Sequence, residues 1–462
     1  MTTLAPDHGD IVVLERFIEA TRDSGYKSTA AAVSELVDNA VDAGATRVEV
    51  RIAADADDEQ WPLTLTVLDD GSGMGASALR RALGFGGSSR FNQRGGLGRY
   101  GMGLPNGSVS QARRVTVHSW EAGGPVRRCH LDVDEIAQGV LRRVPDPVED
   151  ELPLAVSDWR TDSGTVVRWS RCDRLENKRP TTIARKLHVF LGRVFRHYIW
   201  EGNALLVNGQ PVVPVDPLFL QQHSRTRGGS AHGDVLRREL RAPDGSTGTV
   251  EVRFSQLPIR EWFALDNKQK RALGVTNGAG VSVVRGNREI DYGWHFFRKR
   301  RENYDDWWRC EVRFPASLDE HFGITHTKQQ VSPTDALLSV LQDDLDAIAR
   351  DLNRRARSAY TAAKAAAQPT SASGSGGPPA GALLAVSAPS AAPVGEAAGG
   401  PVAAAAPPRS SGRGRRFSMN DVHQAAAAVC ETAKGPEQET LYKEFRISLM
   451  QQLARLSDGA PL

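Results

Sequence analysis

From Ile11 to about Arg355 the sequence alternates helix-period patterns, short apolar runs and Gly-containing turns, which predicts an α+β fold. Two further observations bound it. From about Ala363 to Arg416 the chain is dominated by Ala, Pro, Gly and Ser, too little apolar surface to offset the entropy of ordering, which predicts a disordered linker. Beyond it, Asn420 to Leu456 regains helical character in two pieces split by Gly435 and Pro436, with Leu441, Phe445, Leu449, Leu453 and Leu456 on one face of the second. The expected organisation is a domain over 10–205, a second over 206–360 ending in a helix, the linker over 363–416 and a short helical segment over 418–458.

The helix that closes the second domain is signalled by Ser332, Pro333 and Asp335 at its start. Leu338, Leu341, Leu345, Ile348 and Leu352 then recur in alternating steps of three and four, a seam expected to pack on its own domain. With 462 residues, 40% of them apolar and 24% charged, the composition is that of a globular protein with more than one core. No apolar run reaches the roughly 18 residues that span a bilayer. The N-terminus has no basic segment leading into an apolar one, so a cytoplasmic location is expected. Cys129, Cys172, Cys310 and Cys430 are far apart, forming neither a CxxC pair nor a disulfide framework. A net charge of +3 is too small to announce nucleic acid, so any DNA contact must rest on local patches such as Arg298 to Arg301 and Arg409 to Arg416.

Four motifs carry chemistry. In Ser34-Glu35-Leu36-Val37-Asp38-Asn39-Ala40-Val41-Asp42-Ala43-Gly44, helical spacing puts Val33, Leu36, Val37 and Ala40 on one face and Glu35, Asp38, Asn39 and Asp42 on the other. Alone, such a face reads as a solvated acidic stripe. Yet Glu35 and Asn39, one turn apart, pair a carboxylate with an amide oxygen, a set that can address Mg²⁺ and a water attacking a phosphate.

The second motif is an apolar run, Leu63 to Leu68, ending in Asp69-Asp70-Gly71-Ser72-Gly73-Met74. It places an acid at a strand end beside a turn where a ligand can approach the backbone, and a carboxylate there can accept from an exocyclic amine. A plain Asp-Gly hairpin turn is the competing reading. The third is glycine-rich: Gly84-Phe85-Gly86-Gly87-Ser88-Ser89, then Gly98-Arg99-Tyr100-Gly101-Met102-Gly103-Leu104-Pro105-Asn106. Its amides could wrap phosphates, although it matches neither a Walker A loop nor a dinucleotide fingerprint. The fourth, Phe322-Gly323-Ile324-Thr325-His326-Thr327-Lys328-Gln329, follows the strand-like run Gly280 to Arg288. By itself Lys328 reads as a surface lysine.

In this order and spacing the motifs resemble the boxes of the GHKL superfamily, which unites gyrase, heat-shock ninety chaperones, histidine kinases and MutL, with greatest likeness to the MORC branch and its bacterial relatives. The likeness runs roughly from Tyr26 to Pro333. It implies a Bergerat-type ATP-binding α/β sandwich followed by an α/β transducer domain. It also implies roles: Glu35 as general base, Asn39 as Mg²⁺ ligand, and Asp69 as adenine contact with Gly71, Gly73 and Met74 about it. Asp42, Ser88, Gly98, Arg99, Tyr100, Gly101, Met102 and Gly103 fall in the nucleotide-binding boxes, Thr165 matches a strand threonine behind the base, and Lys328 matches the γ-phosphate lysine. The four cysteines cannot form a CW-type zinc finger.

What the resemblance implies is a Mg²⁺-dependent ATPase whose nucleotide closes a homodimer on DNA or a protein client, with an unknown partner for the C-terminal helices. The alternatives are an ATP-gated scaffold with very slow turnover and a histidine-kinase-like phosphotransferase. The last needs an upstream phosphoacceptor, and only His8 precedes the motifs.

Overall fold

The computed structural model describes residues 12–26, 28–55, 58–87, 101–276, 278–324 and 331–367. All lie in the first of two units into which the chain divides, Met1–Ser373. The expected helical segment over 418–458 and nearly all of the expected linker fall outside the described residues.

Helices α1 (Leu14–Asp23) and α2 (Thr29–Asp42) lead into strands β1 (Arg47–Ala54) and β2 (Leu63–Asp69). Short helices α3 (Ala76–Ala82) and α4 (Gly103–Val109) follow, then β3 (Arg114–Trp120), β4 (Arg127–Asp132), the single turn α5 (Val133–Ala137), β5 (Val148–Glu149) and β6 (Gly164–Ser170). Helices α6 (Pro180–Val194) and α7 (Arg196–Trp200) precede β7 (Ala204–Val207) and β8 (Gln210–Pro211). These strands make one 8-stranded sheet in the order β5-β4-β3-β6-β2-β1-β7-β8. Every pairing is antiparallel except β1 with β7. The sheet thus runs on past the boundary expected near 205, because β7 needs β1 as its partner.

Helix α2 forms where Ser28 caps its start, the hydroxyl accepting from the Ala31 amide at 3.1 Å. Its apolar face, Val33, Leu36, Val37 and Ala40, is buried against Val50 and Val67 of the sheet and Leu187 and Leu191 of α6. Burying such side chains stabilises by about 1.5–3 kcal/mol each.

The second sheet contains β9 (Ser230–Arg241), β10 (Thr247–Gln256), β11 (Val281–Arg285), β12 (Arg288–Gly293) and β13 (Trp308–Phe314), with helices α8 (Ile259–Trp262) and α9 (Asn267–Ala272) between β10 and β11. Its order is β12-β11-β13-β10-β9, with β11 and β13 parallel. Helix α10 (Asp335–Ala367) lies across it. Leu337, Leu341, Leu345, Ala349 and Leu352 are fully buried with Val250, Val252 and Val312, so the leucine seam packs on its own sheet. Leu338 and Ile348 sit at the margin of that contact. Thr334 caps the helix, its hydroxyl accepting from Leu337. The helix continues beyond the composition shift at Ala363, since alanine is the strongest helix former and the shift begins as an alanine run.

The two sheets are joined by buried charge. Arg196 of α7, with no solvent exposure, donates to Glu289 of β12 at 2.9 Å and to Glu311 of β13 at 2.7 Å. Among the described residues no helix is long and apolar enough to cross a membrane.

Candidate functional site

The polar face of α2 is not a solvated stripe. Glu35 is 3% exposed and Asp38 1%, whereas Asn39 and Asp42 are half-buried. Helix α4 covers Glu35: a Cβ placed on Gly103 would lie 2.9 Å from Glu35 Oε2, so a side chain there would have to displace the Glu35 carboxylate. Tyr26 lies beside this pair, and burial followed by the charge of Glu35 pushes its hydroxyl well up.

At the other end of α2 the Ala43 carbonyl accepts from the Ser72 amide at 3.0 Å, tying the helix to the turn after β2. Asp69, 6% exposed, closes β2 and accepts from the Gly71 amide at 3.0 Å. Burial pushes its carboxyl up to about 7, with Gly71 and Thr165 amides opposing and Asp70 adding to the rise. Thr165 is its direct cross-strand partner on β6 and shares a 2.9 Å hydroxyl contact with Ser119. Asp70, by contrast, accepts from the Thr46 and Arg47 amides, each at 2.8 Å, and pins the start of β1. Adjacent acids therefore divide the work: Asp69 takes the Gly71 amide of the turn and Asp70 holds the start of β1.

Gly73 has φ +69°, and a Cβ there would lie 1.8 Å from the Trp120 carbonyl oxygen. Met74 packs on the core below. The Gly86 amide donates to the Gly101 carbonyl at 3.2 Å, which draws the two halves of the glycine-rich motif together, and Met102 immediately precedes α4. Ser88, Gly98, Arg99 and Tyr100 lie outside the described residues, as does Lys328.

Sequence reasoning missed several residues. Trp159 Nε1 donates to the Asp69 carbonyl at 3.2 Å and Ser163 Oγ to the Gly71 carbonyl at 2.8 Å, bracing the turn from the far side of the sheet. Arg288, which the sequence marks only as the end of a strand-like run, reaches α2: its Nε donates to Asp38 Oδ1 at 2.9 Å and its Nη2 to Ser34 Oγ at 3.2 Å. No local pattern marks such contacts, because they join residues 90 to 254 positions apart.

The basic run Arg298 to Arg301 is largely engaged within the chain. Arg298 binds Gln342 and Asp343, Lys299 binds the fully buried Asp305, and Arg301 binds Asp306. Among the described residues no group of three or more His, Cys, Asp or Glu side chains could hold a metal ion. Asn39 offers a single amide oxygen, which fits Mg²⁺, an ion that keeps waters and takes its other ligands from substrate phosphates.

A mixed sheet thus carries an acid and a glycine turn at one strand end and is faced by a helix with a buried glutamate; acid, turn and glutamate all lie within a segment that matches a known class of ATPase domain. Residues 26–165 match the family described as histidine kinase-, DNA gyrase B- and HSP90-like ATPase, so the chain carries a GHKL-type ATPase domain. Over 100 residues, 21% of this chain, it is 42% identical to the DNA mismatch repair protein MutL of Sphingopyxis alaskensis. Over 90 residues, 19% of this chain, it is 38% identical to ATPase MORC2 of Homo sapiens and to ATPase MORC2A of Mus musculus. The matched segments span only 15% of the MutL protein and 9% of each MORC2 protein.

Proposed function

We propose that the chain hydrolyses ATP to ADP and phosphate and that the nucleotide gates closure of a homodimer around a DNA or protein client in the cytoplasm. The observation that carries this reading is the convergence of three motifs on one helix. Glu35 meets Gly103 midway along α2, and Ala43 meets the Asp69 turn at its end. An acid for the base, an acid for water activation and glycines for phosphates thus lie along one helix of about 20 Å at 1.5 Å per residue.

In this reading Asp69 accepts from the adenine amine, with Thr165 behind it and Gly71 and Gly73 shaping the turn. Asn39 holds Mg²⁺, which when bound neutralises phosphate charge. Glu35 orients and deprotonates the attacking water, Gly98, Gly101 and Gly103 enclose the phosphates, and Lys328 donates to the γ-phosphate from the second layer. Buried placement of Glu35 supports the role, since a water-poor site strengthens each electrostatic contact.

The test is sedimentation with ADP and with a non-hydrolysable ATP analogue, beside steady-state turnover. Turnover together with a dimer only on the analogue is expected. A sedimentation profile indifferent to nucleotide, with no phosphate release, overturns the reading.

A further inference from the structure

Arg288 belongs to the second sheet yet ends beside Glu35. Its Nη2 lies 3.9 Å from Glu35 Oε1, while its Nε and Nη2 donate to Asp38 and Ser34 on the same helix. The residue is 5% exposed, and its guanidinium faces α2 with two acids and a hydroxyl in reach. We infer that Arg288 is a positioning residue for ATP hydrolysis, fixing the helix turn that carries Glu35 and so making water activation depend on the second layer. This rests on the hydrolytic reading given above.

Three features support it. First, the strand that delivers Arg288 is immobilised. Glu289, the next residue, accepts from Arg196 at 2.9 Å and from Ser282 at 2.6 Å and forms an ion pair with Arg193 at 2.6 Å. Secondly, β12 is the edge strand of its sheet and its register with β11 shifts between Val283 and Val284. A bulge of this kind re-aims side chains, and here Arg288, Glu289 and Ile290 are all buried. Thirdly, the chemistry is that of a fork. A planar guanidinium can hold a carboxylate and a hydroxyl at fixed angles while keeping positive charge near a third group, which a lysine ammonium on a flexible stem cannot do.

Arg288 touches none of the groups assigned to adenine or phosphate, so its loss should act on the chemical step and not on binding. The experiment uses the full chain and compares wild type, Arg288→Lys, Arg288→Ala and Glu35→Ala for kcat, KM, ADP affinity and thermal unfolding. Arg288→Lys is expected to fold, to bind ADP as wild type does, and to lose roughly ten- to a hundredfold in kcat with KM little changed. Arg288→Ala should lose more and recover in part on addition of guanidinium ion. Should Arg288→Ala fail to fold, Arg288→Lys decides. Wild-type kcat in a folded Arg288→Lys protein overturns the inference while leaving the hydrolytic reading intact. A kcat loss matched by an equal loss of ADP affinity overturns it too, by showing a general structural role. Absence of turnover in the wild type overturns both at once.

Discussion

The Gly71 amide donates to Asp69 Oδ1 at 3.0 Å, so the turn after β2 both holds the Asp69 carboxylate and sets its direction. Its carboxyl stands at about 7 against an ordinary 3.8, burial being the largest cause. The folded state therefore binds this proton more tightly than the unfolded chain. The contribution to stability is lost as pH rises from 3.8 towards 7, and the full cost of the buried charge is present above that. In the Asp69→Asn variant the side-chain amide could still accept from Gly71 but would carry no charge. The substitution should therefore abolish ATP binding, because its NH₂ opposes the adenine amine, yet stabilise the free protein at pH 8 by on the order of a few kcal/mol. Thermal unfolding without nucleotide at pH 8 and near pH 4 checks the sign: the gain should shrink towards the acid end. A lower midpoint than wild type at pH 8 would contradict the burial cost.

Gly73→Ala should be far more damaging than Gly44→Ala. Both glycines have positive φ, +69° and +76°, but a Cβ at Gly73 meets the Trp120 carbonyl whereas nothing lies within 4 Å of one at Gly44. Backbone strain alone costs about 1 to 3 kcal/mol. Gly73→Ala should exceed that range and disturb the Asp69 turn. Denaturant midpoints for the two variants, similar to one another, would show that the turn shifts at little cost.

Arg196→Met should uncouple the two sheets. Removing the cation takes the ion pair from the buried Glu311 and leaves the buried Glu289 with Arg193 alone; breaking a buried pair typically costs about 3–5 kcal/mol. Unfolding should then become broader or split into two transitions. A single transition at the wild-type midpoint would mean that the buried charges do not join the layers.

Lys328→Ala bears on the proposed contact from the second layer. In the proposed role, a cation donating to the γ-phosphate, Lys328 would discriminate ATP from ADP, and only such differential contact can shift an open–closed equilibrium. ADP affinity should stay nearly unchanged while turnover and the ATP-dependent dimer are lost. Turnover and closure as in the wild type would return Lys328 to an ordinary surface residue.

Much of the site was legible because its residues are local in sequence. The apolar spacing of Val33, Leu36, Val37 and Ala40 marked a buried face of α2, and the apolar run ending in Asp69 marked where β2 ends. Burial of the opposite face could not be read, since it depends on α4 and β12 arriving from elsewhere in the chain. The leucines of α10 announced a seam, but its centre runs through Leu337 and Ala349, because the sheet beneath selects small and large side chains that periodicity alone does not distinguish. Trp159, Ser163 and Arg288 gave no signal, being ordinary residues whose roles arise only from long-range contact.

Glu35 is where fold and chemistry meet, buried on α2 between Gly103 and Arg288. The most direct measurement is phosphate release from ATP by wild type and Glu35→Ala, with ATP affinity determined on the same preparations. Deleting the base while sparing the binding groups should leave ATP bound at close to wild-type affinity and reduce turnover by about 10²-fold or more. Undiminished phosphate release by Glu35→Ala would contradict the account, placing the hydrolytic centre elsewhere.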